Sequence, residues 1–254
     1  MKDCVDCHGA AEAKHAGTSV ETIVNSHTAL ACQVCHIPTF ARNELTKTEW
    51  YWESAGDVDR GVETDPDTNL PTYDPMKGNF VWANNVRPEL RYFDGTWTKA
   101  IIGVADVYTE AGTPEDPAVL GAPVGSYDDG VSKIYPFKKM IGNQVADPVA
   151  KRILVPHLFG AAGGPNAYWG NWNWDLALQD AAAKTGQPYT PGSFDPNTWF
   201  VNTVMYLTVN HEVAPKEDAY GMNGDCGDCH FSGQVDWVAL GYDKDPVEGG
   251  TRPD

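Results

Sequence analysis

All six cysteines of this chain lie in three copies of one five-residue pattern, Cys-x-x-Cys-His: "CVDCH" (Cys4, Cys7, His8), "CQVCH" (Cys32, Cys35, His36) and "CGDCH" (Cys226, Cys229, His230). None is left over, so this pattern constrains the fold more than any other feature of the sequence. A disulfide within such a pair would close a ring too small to remove much chain entropy. Structural zinc takes four ligands, usually from two pairs brought together, and three pairs do not divide evenly into such sites. A thioredoxin-like dithiol is a single motif beside a βαβ pattern and has no use for the histidine that follows. Covalent attachment of a c-type haem needs all three residues, since each thiol forms a thioether to a vinyl group and the adjacent imidazole takes the iron. The sequence therefore predicts three haems c, with His8, His36 and His230 as proximal ligands.

Each iron then requires a sixth ligand, and four histidines remain: His15, His27, His157 and His211. His157 stands in the apolar stretch "ILVPHLFG" and His211 follows the apolar run "VMYLTVN". An unliganded imidazole is costly to bury in such settings, so both are expected to be distal ligands. His27 precedes His36 too closely to reach round to the far face of that haem, and suits the first haem or a neighbour. His15 is then one histidine more than three irons need: it is idle, replaces one of the others, or reaches a haem of another subunit. None of the methionines is singled out by its position, so histidine pairs are preferred to the higher-potential Met ligation. Lys133, Lys138, Lys139 and Lys216 are the lysines nearest these stretches, but every attachment motif keeps its own histidine, which argues against a lysine-ligated catalytic haem. Irons saturated by two imidazoles pass electrons and do not bind substrate, so the expectation is an electron carrier and not an enzyme.

With 254 residues and 42% apolar content the chain can bury a core. Its formal charge of −17 argues against nucleic acid and anionic membranes. The partners expected are neutral, cationic or metallic: redox proteins or an extracellular acceptor. No apolar run approaches the ~20 residues of a membrane span, and the start lacks the features of a secretory signal. Haem attachment takes place outside the cytoplasm, so a processed or partial chain in the periplasm or extracellular space is expected. The acidic stretch "GDVDRGVETDPDTN" (Asp57, Asp59, Asp65, Asp67) offers oxygen ligands for a possible calcium ion, although its spacing is not that of an EF-hand. No phosphate-binding, dinucleotide or serine-nucleophile motif is present.

Twenty-five glycines and 18 prolines are spread along the chain, which predicts short, interrupted elements. "SVETIVNSHTALACQVCH" reads as one or two short helices, "WDLALQDAAAKTG" as a helix ended by Gly186, and "NTWFVNTVMYLTVNHEV" as an apolar element of either type. Residues 54–75 and 103–132 read as long loops. The expected fold is a single domain over residues 1–254, mainly α with extensive coil and little β. In it short helices and long loops wrap three covalent haems, with the abundant aromatic rings packed on the macrocycles.

The stretches "ACQVCHIPTFAR", "WYWESAG", "GNFVWANNVRPELRYFDG", "KIYPFKKM", "VPHLFG", "NHEVAPKE", "CGDCH" and "VDWVALGYDKDP" together resemble, in order, the C-terminal half of the octahaem tetrathionate reductase family of multihaem cytochromes c. The resemblance implies that His157 and His211 are distal haem ligands. It also implies that the lysine-ligated catalytic haem of that family belongs to an N-terminal half with no counterpart in these residues. Three readings follow: an electron-transferring cytochrome, in its sharpest form a homo-polymer with haems continuous from copy to copy; a fragment or subunit of a reductase acting on tetrathionate, nitrite or hydroxylamine; and a monomeric periplasmic shuttle.

Overall fold

The computed structural model describes residues 4–160, 164, 166–210 and 212–252. Four short helices open the chain: α1 (Cys4–His8), α2 (Ala11–His15), α3 (Glu21–Ser26) and α4 (Cys32–His36). The strands are β1 (Thr46–Tyr51), β2 (Glu63–Thr64), β3 (Pro71–Asp74), β4 (Gly78–Ala83), β5 (Glu89–Phe93), β6 (Trp97–Lys99), β7 (Ala118–Pro123), β8 (Lys133–Asp147) and β9 (Arg152–Ile153), with β10 (Phe200–Thr208) following two helices, α5 (Tyr168–Asn171) and α6 (Trp174–Thr185). The expectation of a mainly α fold with little β is therefore wrong. The centre of the molecule is a mixed sheet of ten strands in the order β2-β3-β4-β1-β8-β10-β7-β6, with β5 and β9 also paired to β8.

β8 organises this sheet, running 15 residues and pairing antiparallel with β5, β10 and β9 and parallel with β1. Two residues hid it. Pro136 would break a central strand, but β10 reaches only to Phe137, so Pro136 has a neighbour on one side alone, Leu90 of β5. Gly142 lies between Trp50 of β1 and Thr203 of β10, and a Cβ there would come within 1.8 Å of the Trp50 carbonyl oxygen. Here glycine is what lets the two strands approach. β10 settles the element of undetermined type: Val201, Thr203, Val204 and Tyr206 are buried while the residues between them are more open. The long-loop readings fail in part, since β2 and β3 lie within 54–75 and β7 within 103–132.

Where the signals were local, the elements formed as expected. Asn173 caps α6 by accepting a hydrogen bond from the Leu176 amide (3.1 Å), and Gly186 ends it at φ 75°. Val145, Leu154, Tyr168, Trp174, Ala177, Leu178 and Trp199 form a core where α6 meets the far end of β8, with the Tyr168 and Trp174 rings stacked at 3.9 Å. At the other end of β8 the cysteine motifs gather. The Ala31 amide donates to the Ile134 carbonyl (2.9 Å), the Ala214 amide to the His36 carbonyl (2.9 Å), and the Tyr220 amide to the Cys35 carbonyl (3.0 Å). A second core of Val34, Tyr92, Ile134, Val235 and Leu240 joins α4, the sheet and the C-terminal segment.

Candidate haem centres

A single helical turn is what Cys-x-x-Cys-His needs, because residues i, i+3 and i+4 then share one face. α1 and α4 are such turns, and in the third motif the His230 amide donates to the Cys226 carbonyl (2.9 Å). Both thiols and the following imidazole are thus presented together. No disulfide joins any of the six cysteines, and among the described residues no three His, Cys, Asp or Glu side chains converge on a metal-sized point. Zinc therefore lacks its four ligands here, whereas a macrocycle supplies four of its own.

His27, at the end of α3, lies opposite His230 with ring centres 6.3 Å apart, and His15 lies opposite His36 at 6.1 Å. An imidazole nitrogen sits about 2 Å from a first-row metal ion with its ring centre roughly 1 Å further out, so two imidazoles on opposite faces of one iron have centres about 6 Å apart. Both pairs meet that spacing. The tautomers agree as well: the Ala11 carbonyl accepts from His15 Nδ1 (2.7 Å) and the Ile23 carbonyl from His27 Nδ1 (2.9 Å), while Asp245 Oδ1 accepts from His230 Nδ1 (2.7 Å). A carbonyl only accepts, so the proton sits on Nδ1 and the Nε2 lone pair is free for a metal.

His27 and His230 both line a cavity of about 530 Å³, with Cys226, Cys229 and Cys35 at its wall and Leu30, Val34, Ile134 and Leu240 among its apolar lining. This size is in the range of about 300–1,000 Å³ usual for cofactor sites. Trp237 stacks on the His230 ring at 5.1 Å. Burial pushes the Cys35 thiol up to about 11, with further contributions from Cys229, Cys32 and Asp228, so the second and third motifs are packed together. Burial also lowers the pKa of His36, aided by His15 and then His8, which places the first motif nearby.

The other expected site residues fall elsewhere. His157 pairs through Nδ1 with Asp180 of α6, beside Lys184, and makes no described hydrogen bond or ring contact with an attachment motif. His211 lies outside the described residues. The acidic stretch closes on itself: Asp57 Oδ1 accepts from the Arg60 amide (3.2 Å), and Asp65 Oδ1 accepts from Asp67 and Thr68. Its four carboxylates are not brought together for calcium among the described residues. Lys138 donates to Thr46 Oγ1 (2.7 Å) and Lys139 pairs with Glu89 (3.2 Å), so both are engaged on the sheet.

The family described as "Cytochrome c bacterial" matches residues 47–233, well over half of the chain. The protein belongs to this family. Membership implies covalent haem c, in keeping with the three attachment motifs. A crystal structure of an octahaem cytochrome c from Shewanella oneidensis is similar with a TM-score of 0.78 and 35% identity, over 97% of this chain and 52% of that one. The chain is thus related to multihaem cytochromes c and spans about half the length of this solved relative. Comparison with curated proteins finds no match. The match also corrects one expectation: the relative is an octahaem cytochrome, the class of the reductase family resembled above, so the reading of this chain as a carrier and not an enzyme is withdrawn. Among the described residues no helix is long and apolar enough to cross a membrane.

Sequence reasoning missed Asp245, Trp237 and Arg252, all of which flank the third motif. No local pattern marks them: Asp245 and Trp237 meet His230 only through the folding of the C-terminal segment, and Arg252 meets Tyr92 and Tyr127 from distant parts of the chain.

Proposed function

We propose that this cytochrome moves electrons through three covalently held haems outside the cytoplasm, the 254 residues acting as one unit. Cys4 and Cys7, Cys32 and Cys35, and Cys226 and Cys229 carry the thioethers. A haem iron, when bound, would supply a one-electron couple. The observation that carries this reading is the two histidine pairs at iron-spanning distance, His15 with His36 and His27 with His230. His8 takes its sixth ligand from one of the two remaining histidines, His157 or His211. The other is then left over for an iron outside these residues.

That surplus, with the half-length match to an octahaem cytochrome, supports a second reading: the chain works inside a larger multihaem assembly. The outside iron belongs either to the remainder of a reductase or to the next copy in a filament. On this pairing His15 is no longer the spare ligand, so the case for head-to-tail polymerisation passes to His157 or His211. Reductase assays with tetrathionate, nitrite and hydroxylamine, together with electron microscopy of the holo-protein, separate the two.

The pairing is tested on the holo-protein by His15→Ala and His27→Ala. Each is expected to turn one haem of three from low to high spin in absorption and paramagnetic resonance spectra. Wholly low-spin spectra in both variants would defeat the assignment.

A further inference from the structure

In a chain with 35 acidic and only 18 basic residues, an arginine without a carboxylate partner is unusual. Arg42, Arg60, Arg91 and Arg152 each pair with an acidic side chain. Arg87 does not, but its guanidinium donates to Gln234 and to the Asp228 carbonyl. Arg252 differs from all of these. It lines the cavity of the third motif, its guanidinium lies 3.2 Å from the centre of the Tyr127 ring and 3.9 Å from that of Tyr242, and its Nη2 donates to Tyr92 Oη (2.5 Å). Its Nε is buried with no hydrogen-bond partner, as are those of Arg42 and Arg152, but unlike theirs its guanidinium is joined by no ion pair to any described residue. Such a charge, held against ring faces, is stabilised by them, but its full compensation is an anion, and no described residue supplies one.

We infer that Arg252 is the counter-ion for a propionate carboxylate of the haem attached at Cys226 and Cys229. The inference rests on the proposed attachment at those thiols. A guanidinium is matched in charge and in planar donor geometry to a carboxylate. A haem brings its own carboxylates, so the missing anion arrives with the group that fills the cavity. The three tyrosines hold the guanidinium at the wall, which makes Arg252 a positioning residue that also sets potential: a fixed positive charge beside the macrocycle disfavours the ferric state and raises the potential.

The test is spectroelectrochemical titration of the holo-protein without added oxyanions. Cys226→Ser/Cys229→Ser first identifies the third haem as the component that disappears, and if no haem is lost the proposed attachment itself fails. Arg252→Gln is then expected to lower the potential of that same component, with spectra still low-spin. The expected size is about a tenfold change in its oxidised-to-reduced ratio at a fixed potential, or about 59 mV for one electron, and Arg252→Lys should restore most of it. Should Arg252→Gln not mature, Tyr127→Leu at an exposed ring (63% accessible) must move the same component in the same direction by a smaller amount. Unchanged potentials in a folded variant, or a shift seen only after nitrite or phosphate is added, would overturn the inference, the latter in favour of a diffusible anion.

Discussion

Asp245 is 5% exposed, yet its carboxylate stays ionised because the chain surrounds it with donors. Burial pushes its pKa up, but the Phe231 amide (2.8 Å), the His230 ring and the Val247 amide (2.9 Å) outweigh burial and hold it below the ordinary carboxylate range. The pair it forms with His230 fixes the tautomer and increases the basicity of the nitrogen that faces the cavity. A more basic ligand favours the ferric state. Asp245→Asn is therefore expected to raise the potential of the third haem while its spectrum stays low-spin, opposite in sign to the effect of removing Arg252. Potentiometric titration of the holo-variant reads this directly, and a fall in potential, or no change, would show that Asp245 only supports the local fold.

At the scale of elements, Gly142 sets how closely β1 and β8 lie. Replacing a strand glycine by alanine ordinarily stabilises by about 0.5–1 kcal/mol; here the added Cβ would meet the Trp50 carbonyl at 1.8 Å. Gly142→Ala is expected to reverse the usual sign and cost about 3 kcal/mol, measured by chemical denaturation of the holo-protein. A neutral result would mean that the two strands separate without loss. The same residue explains why the sheet was hard to read. Gly142 and Pro136 look like breakers in isolation, and only pairing with β1, β5 and β10 makes a strand of the segment. α6 was legible because its cap at Asn173, its period and its stop at Gly186 are local. The attachment motifs were legible for the same reason. The histidine pairs were not: His27 and His230 come from opposite ends of the chain, and His15, taken for a spare, meets His36 through the α2–α4 turns, a closeness that spacing along the chain does not encode.

The molecule as a whole is strongly anionic, and propionates deepen that charge, so its field acts on any electron donor or acceptor before contact. A net charge of −17 steers cations inward and repels anions. Salt at 0.1 M shortens the reach of this field to about 10 Å. Two small redox reagents of opposite sign separate steering from the intrinsic reactivity of the haems. Stopped-flow electron exchange with hexaammineruthenium should slow about tenfold or more between low and high ionic strength, and exchange with ferricyanide should accelerate over the same range. The third haem refines the expectation, since its cavity wall carries the cation Arg252 within an acidic body. If that haem is the entry point, the ferricyanide rate should be the less salt-sensitive of the two, because a local positive charge offsets the repulsion at close range. Equal and flat salt slopes for both reagents would mean that electrons enter through a neutral surface, and that the acidic character of the chain serves something other than the encounter with its redox partner.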